Sequence, residues 1–336
     1  RYCGPIILAS PDEMRRAGMT LILDSRGDRA GRAGVGFAGL SGRLLARALQ
    51  GRTLGKLLLI GVPLLWLLFL HLAPVLQLGR IALIDRYPLP TGTEPVYTSR
   101  HLLRFFTEPA FWVPFARTFV LAAATSALTL VVALPVAWLL ARHTAPERQF
   151  RRILLITVPF WAGELVRSFS LVLFAANKGL INEALRWLGV IDAPISLLYT
   201  PAAVGAGMFY FLILYQLLPL FNAMEKLPAS TLEAAADLGA GPWQRFRRIT
   251  LPLLRPAIAN GTTLVFLMAT GAYSVPLLLG GTSTTLFPET IALSFNSGAD
   301  TWPLGAALSV VLLVGATLAG GAWLRLIAGP RNGGDR

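Results

Sequence analysis

Six long apolar runs are spaced along the chain, and short polar stretches separate them. They lie at about 57–79, 116–141, 152–176, 201–223, 255–280 and 303–327. A helix crosses the hydrocarbon core of a bilayer in about 20 apolar residues, and each run is long enough. Backbone groups in lipid must pair within their own segment, so each run is predicted to be a transmembrane helix. The expected fold class is all-α, a polytopic membrane protein with six transmembrane helices. Pro63 and Pro74 fall in the first run, Pro135 in the second, Pro159 in the third and Pro276 in the fifth. Such interruptions are tolerated where neighbours or water satisfy the freed backbone groups, often beside a pathway.

The polar stretches differ in charge. The region up to Lys56 is dense in arginine. The stretch between the second and third runs carries Arg142, Arg148, Arg151 and Arg152. The stretch between the fourth and fifth carries Lys226, Arg245, Arg247, Arg248 and Arg255, and the C-terminal end adds Arg325, Arg331 and Arg336. The stretch between the fifth and sixth runs has neither Lys nor Arg, only Glu289 and Asp300. Cytoplasmic loops carry the excess of Lys and Arg, so both termini are expected in the cytoplasm, and an even number of crossings agrees. The stretch between the first two runs fits least well, with Arg80, Arg86, Arg100 and Arg104.

Ahead of the first run, Leu40, Leu44, Leu45, Ala48 and Leu49 recur at helical spacing, with Arg43 and Arg47 off that stripe. This predicts an interfacial amphipathic helix over 40–56, the alternative being a simple continuation of the first span. Residues 1–39, rich in Gly and Arg, read as a poorly ordered basic cytosolic extension without a secretory signal. Met14 and Met19 are each possible internal starts. The membrane-spanning domain is then 57–327, with a polar loop at 225–252, and 328–336 form a cytosolic tail.

Composition supports a membrane setting. Of 336 residues, 54% are hydrophobic and 14% charged, against ~25% charged in soluble domains; the mean hydropathy is +0.61. The net charge of +13 would suggest nucleic acid in a soluble protein. Here the cations cluster in loops, which points to orientation in a bilayer and to no nucleic-acid partner. Cys3 is the single cysteine, and His71, His101 and His143 lack ligand spacing, so no metal site is expected. Gly34, Gly36 and Gly39 match a dinucleotide fingerprint but lie outside any strand–helix unit. Gly51 to Leu57 imitates a phosphate loop one residue too short, with Leu57 where Ser or Thr would ligate magnesium. The chain itself is expected to bind no nucleotide and no cofactor.

One polar stretch stands apart. Leu232-Glu233-Ala234-Ala235-Ala236-Asp237-Leu238-Gly239-Ala240 lies between two apolar runs and reads as a short helix stopped by glycine. The alanines form a smooth face that can enter a partner's cleft. Glu233 is expected near the helix start, at the positive end of the dipole, and Gly239 in a positive-φ turn. Arg245, Arg247 and Arg248 then open a second helix, which Pro252 and Pro256 direct back into lipid. The spacing of Glu233, Ala234, Ala235, Gly239, Ile249, Leu251 and Pro252 resembles the EAA loop of ABC-importer permeases of the MetI-like superfamily. Further runs are similar to the spermidine/putrescine permease branch: Pro159-Phe160-Trp161, Arg167, Asn177 to Glu183, Trp187 to Ile195, Glu225-Lys226-Leu227, Leu279-Gly280-Gly281, and Asp300 to Ala307. The resemblance covers about 57–327.

The resemblance implies a multi-pass subunit of the bacterial inner (plasma) membrane with no catalytic residue of its own. It implies two ATP-binding subunits that hold the ATP and Mg, a second homologous permease subunit and a periplasmic solute-binding protein. The implied cargo is a polyamine of the spermidine/putrescine kind. Two departures bear on it. Around Pro276 this chain reads Gly271-Ala272-Tyr273-Ser274-Val275-Pro276-Leu277, without the carboxylate that many polyamine permeases carry there, and Glu164 lies inside the third run. The alternatives are another cargo of the same importer class (an opine, an amino-acid derivative or ferric ion) and an ion-coupled carrier. The latter would show inverted repeats and midplane titratable groups.

Within the third run, Glu164 and Arg167 share a helical face. They either neutralise one another as an i,i+3 ion pair or place Glu164 on the translocation path, facing an ammonium group. Trp161, Phe169, Tyr210 and Tyr273 are either packing residues or cation–π partners lining that path.

Overall fold

The computed structural model describes residues 54–89, 92–281 and 284–328. The 1–39 extension, all but the last three residues of the interfacial helix expected over 40–56, and all but the first residue of the 328–336 tail lie outside the described residues. The chain divides into two units, Arg1–Leu72 and Ala73–Arg336.

Helix α1, Leu54–Ala82, begins in the first unit. From Leu58 to Leu72 its large side chains stay exposed, Leu65 at 72% and Phe69 at 66%. A helix this apolar and this uncovered is suited to lipid, where neighbours are not needed to shelter leucine.

The second unit is built on three long helices, α3 (Pro109–Arg142), α7 (Pro201–Glu225) and α9 (Pro242–Thr270), each packed on the other two. On α3 the inward face is a stripe of small residues, Ala122, Ser126, Thr129, Ala133 and Ala137, all buried. Between lipid-embedded helices, small residues allow backbones to approach and short polar side chains to bond across. The Ser126 hydroxyl donates to the Thr262 carbonyl of α9 at 2.7 Å. To either side of this level the apolar core fills with Leu214, Leu217, Phe221 and Leu254 at one end and Met208, Phe211, Val265 and Phe266 at the other. A last long helix, α12 (Trp302–Ala328), packs on α9.

The third apolar run departs from the continuous span expected over 152–176. Instead α4 (Pro146–Thr157) passes into a 3₁₀ turn at Val158–Trp161, and α5 restarts at Glu164–Ala175. The two halves are bent by 89°. Pro159 has no N–H to continue the ladder, and Ala162 and Gly163 are extended, at ψ 139° and 150°. Among the described residues there are thus five helices long and apolar enough to cross a membrane, or six if the bent pair counts as one span. The fifth run also differs. α9 stops at Thr270, and residues 274–279 form a separate short helix, α10.

Shorter helices complete the unit: α2 (Arg100–Thr107), α6 (Leu180–Trp187), α8 (Ala229–Asp237) and α11 (Phe287–Asn296). The polar stretch between the last two apolar runs is therefore more than the plain loop its composition suggests. Its helix α11 packs on α12 and α3, and the Phe287 N–H donates to the Thr118 hydroxyl at 2.9 Å. No strand occurs among the described residues, only a bridge between Ile84 and Tyr97.

Candidate functional site

The polar stretch after α7 folds as α8, and its stop is decided by hydrogen bonds. The Gly239 N–H donates to the Ala236 carbonyl at 2.8 Å and the Ala240 N–H to the Ala235 carbonyl at 2.9 Å. This is the Schellman arrangement, which requires a left-handed residue after the helix. Gly239 supplies it at φ +81°, in agreement with the sequence pattern. Glu233 does not sit where expected. It is the fifth residue of α8, whose first turn contains no acid, and the dipole's influence fades beyond the first turn. Glu233 and Ala234 are exposed, Ala235 and Ala236 half-buried. Leu238, at the tip, is 89% exposed.

Two arginines tie this loop to the membrane helices. Arg142 Nη2, at the end of α3, donates to the Leu227 carbonyl at 2.8 Å. Arg245 Nη1, in the first turn of α9, approaches the Leu232 carbonyl at 3.5 Å. α9 then runs through a π-helical turn at Phe246–Thr250, closed by the Leu251 N–H bonding to the Phe246 carbonyl. Pro252 lacks the donor for an ordinary turn at this point, and the wider turn precedes it. Single π turns often mark functional positions in helices. Ile249 and Leu251 are half-buried and Pro252 exposed; Leu251 packs against the core end of α3 and α7. Trp138, Phe246 and Trp243 pack in sequence beside this turn, at centroid distances of 6.1 and 5.6 Å. The seven residues of the loop pattern therefore lie on two elements, α8 with its glycine stop and the start of α9, which Arg245 links. Arg142, which ties the loop to α3, lies 85 residues from its partner, and no local pattern marks that contact.

The second feature is a recess of about 340 Å³. Its walls come from the start of α5, the middle of α7 and the break between α9 and α10. Glu164, Arg167, Tyr215 and Tyr273 line it, so two chain breaks distant in sequence meet at one place. Glu164 opens α5, where a carboxylate suits the helix dipole. The ion pair anticipated between Glu164 and Arg167 does not form; among the described residues neither belongs to a salt bridge within 4.0 Å. Aromatic rings hold Arg167 elsewhere. Its guanidinium carbon lies 4.4 Å from the Phe211 ring centroid and 5.0 Å from that of Phe160. Arg167 Nε and Nη1 are buried without a hydrogen-bond partner.

Of the candidate path residues, Glu164, Arg167 and Tyr273 come together in this recess and the others do not. Trp161 is 81% exposed in the 3₁₀ turn and is not part of the lining. Tyr210 packs its ring 5.6 Å from Phe160, and Phe169 is 55% exposed on α5. Tyr215 is an addition from the structure, lining the recess with Phe211 and Leu212 of the same helix. It sits in the apolar run of α7 beside Gln216, and nothing in the sequence sets it apart from Tyr210 on the same helix.

Residues 42–331 match the family of binding-protein-dependent transport system inner membrane components. Among curated proteins, the chain is 44% identical over 185 residues to the spermidine/putrescine transport system permease protein PotB of Salmonella typhimurium, covering 55% of this chain and 64% of that protein. The PotB of Escherichia coli K12 is likewise 44% identical over 185 residues, with 66% of its length covered. The chain thus spans a little under two thirds of these relatives. The PotB of Haemophilus influenzae is 32% identical over 249 residues, which are 74% of this chain and 86% of that one. A solved bacterial ABC transporter involved in import of the acidic polysaccharide alginate superposes with a TM-score of 0.64 at 18% identity, covering 85% of this chain and 99% of that chain; at this identity it shows the fold alone. The match over most of the chain and the apolar helices agree on a multi-pass inner-membrane protein. The chain belongs to the family of binding-protein-dependent transport system inner membrane components.

Proposed function

We propose that this chain is the permease subunit of an ATP-driven importer and forms part of the pathway for a small amine-bearing solute of the polyamine type. The observation that carries this reading is α8. It is a short alanine-faced helix with a fixed end and an exposed leucine tip, outside the apolar spans and anchored to α3 and α9 through Arg142 and Arg245. A helix held at its root and bare at its tip is built to be gripped.

In this reading the termini and α8 lie in the cytoplasm, in line with the arginine-rich stretches. Two ATP-binding subunits hold ATP and Mg, and one of them takes α8 in its cleft. A second homologous permease subunit completes the pathway, and a periplasmic binding protein delivers the solute. A solved structural neighbour, a bacterial alginate ABC transporter, is in complex with an alginate pentasaccharide-bound periplasmic protein, and that pairing supports the last partner. The chain performs no covalent chemistry. Closure of the ATP-binding subunits displaces α8, and the tethers carry that displacement to α3 and α9. The breaks at Val158–Gly163 and Gly271–Tyr273 flank the recess, so movement of either opens or closes it. The polyamine assignment is supported by the PotB relatives.

Cysteine cross-linking tests the arrangement. Leu238→Cys is paired with a cysteine in the cleft of the ATP-binding subunit, in membranes holding the whole complex. A cross-link whose yield changes with ATP supports it. Labelling of the introduced cysteine only by reagents added from the periplasmic side overturns it, as does uptake of putrescine that follows an ion gradient and ignores ATP depletion.

A further inference from the structure

Helix α6, between α5 and α7, leaves an apolar side uncovered. At about 3.6 residues per turn its positions fall into three sectors. Asn182 and Leu185 turn toward the rest of the protein, the first fully buried and the second half-buried. Glu183 and Arg186 form a polar edge, paired at 3.5 Å. Leu180, Ile181, Ala184 and the helix-ending Leu188 form an apolar edge and are all exposed, Leu180 at 63%. Trp187 lies where the polar and apolar edges meet and is 86% exposed.

The helix is clipped in this orientation. Asn182 Nδ2 donates to the Ala176 carbonyl at 3.1 Å and to the Ile195 carbonyl at 3.0 Å, and the Ile195 N–H donates to Asn182 Oδ1 at 2.9 Å. These bonds tie α6 to the end of α5 and to the approach to α7. Ile181 sets its level, sharing a groove of about 280 Å³ with Phe174 of α5 and with Thr200, Ala203 and Gly207 of α7. α6 therefore starts level with the first two turns of α7, at the end of that span opposite α8. Phe174 and Ile181 are both exposed at this groove, so uncovered apolar surface continues from the membrane helix onto α6.

We propose that α6 lies in the lipid–water interface, with Leu180, Ala184 and Leu188 in the acyl region, Glu183 and Arg186 in water and Trp187 at the boundary. Tryptophan favours that level, and an amphipathic helix with its apolar side at the headgroup–acyl boundary lies along the surface. Submerging Glu183 and Arg186 would be costly, which limits the depth. The two charges answer one another, so this edge carries no net charge to recruit a protein of opposite sign. The consequence is mechanical. α5 has twelve residues, about 18 Å of helix, against a hydrocarbon core of about 30 Å, and it is bent by 89° from α4. α6 anchors the far end of this half-span at the lipid surface and leaves the Val158–Gly163 break as its pivot.

Nitroxide labels test the depth. Cysteines replace Leu180, Glu183, Ala184, Arg186 and Trp187 one at a time in a Cys3→Ser chain. These side chains are all exposed, so the substitutions leave the packing intact. The whole complex is reconstituted in liposomes, and power saturation compares collisions with oxygen, which concentrates in lipid, and with a water-soluble nickel chelate. The oxygen-to-nickel ratio is expected to be several-fold higher at Leu180→Cys and Ala184→Cys than at Glu183→Cys and Arg186→Cys, with Trp187→Cys between. Nickel dominating at every position puts α6 in water and overturns the proposal. Shielding of Leu180→Cys and Ala184→Cys from both reagents also overturns it, because protein then covers the apolar edge. If that shielding appears only when the solute-binding protein is added, the edge is a receptor contact and the lipid assignment is again overturned. The readout is depth alone, so its failure leaves the importer reading untouched.

Discussion

Arg142 Nη2 donates to the Leu227 carbonyl at 2.8 Å, bridging residues 85 apart in sequence. Its guanidinium also lies 6.0 Å from the Trp138 ring. One side chain thus fastens the end of α3 to the root of the α8 loop. Arg142→Ala is predicted to uncouple the transporter, because α8 can then move without carrying α3 with it. In proteoliposomes, ATP hydrolysis should persist while solute carried per ATP falls several-fold. Arg142→Lys keeps the charge but not the planar fork and should recover part of the loss. Equal losses of hydrolysis and uptake would show instead that the contact serves folding.

Gly239 tests the end of α8. A Cβ added there would meet nothing within 4 Å, and φ is +81°, so a substitution meets backbone strain and no clash. Gly239→Ala should cost about 1–2 kcal/mol locally, and Gly239→Val more. Gly239→Asn should cost least, since Asn tolerates this conformation. The readout is the ATP-dependent cross-link from Leu238→Cys, which should weaken in the order Asn, Ala, Val. An unchanged cross-link in Gly239→Val would mean that α8 keeps its end without the left-handed turn.

Gln216 is fully buried, and both polar atoms of its carboxamide lack partners. A Cβ on Gly261 would meet its Nε2 and Oε1 at 3.0 Å, so the amide fills the space that a glycine leaves open on α9. An unsatisfied buried polar group costs about 1–3 kcal/mol. Gln216→Leu is predicted to leave the unfolding temperature of the purified complex unchanged or to raise it. A clear drop would show that the carboxamide has a partner in another conformation of the transport cycle.

Glu289, on α11 and outside the candidate spans, is pushed up from 4.5 to about 7 by burial, against a smaller opposing effect of a backbone hydrogen bond at Leu286. The folded protein then holds a proton that the unfolded chain has released between pH 4.5 and about 7, so stability falls as pH rises through that window. The unfolding temperature should be higher at the acidic end of this range than above it, and Glu289→Gln should flatten that dependence and stabilise the protein at neutral pH and above. A Glu289→Gln profile parallel to the wild type would refute this.

Several features are legible in the chain because they are local. Long apolar runs place the spans, since a lipid-embedded backbone has no alternative to a helix. The Gly239 turn follows from alanine-rich helix and glycine within six residues. The break in the third span is half visible: Pro159 marks an interruption, but one proline does not fix an 89° bend. α2 and α11 escape a reading of hydropathy because short helices in polar stretches have no long apolar period to announce them.

The membrane class, the count of crossings to within the reading of one bent pair, and the alanine-rich loop pattern are all written into the chain locally. Each rests on composition or on contacts within a few residues. Three other features arise from packing between distant segments. Arg167 turns to Phe211 and Phe160 and not to Glu164 three residues away, Arg142 closes the loop at Leu227, and the breaks near Gly163 and Gly271 meet at one recess. Helical spacing says which side chains share a face. Which of two attractive partners a guanidinium takes depends on rings delivered by another helix, and that information is not local.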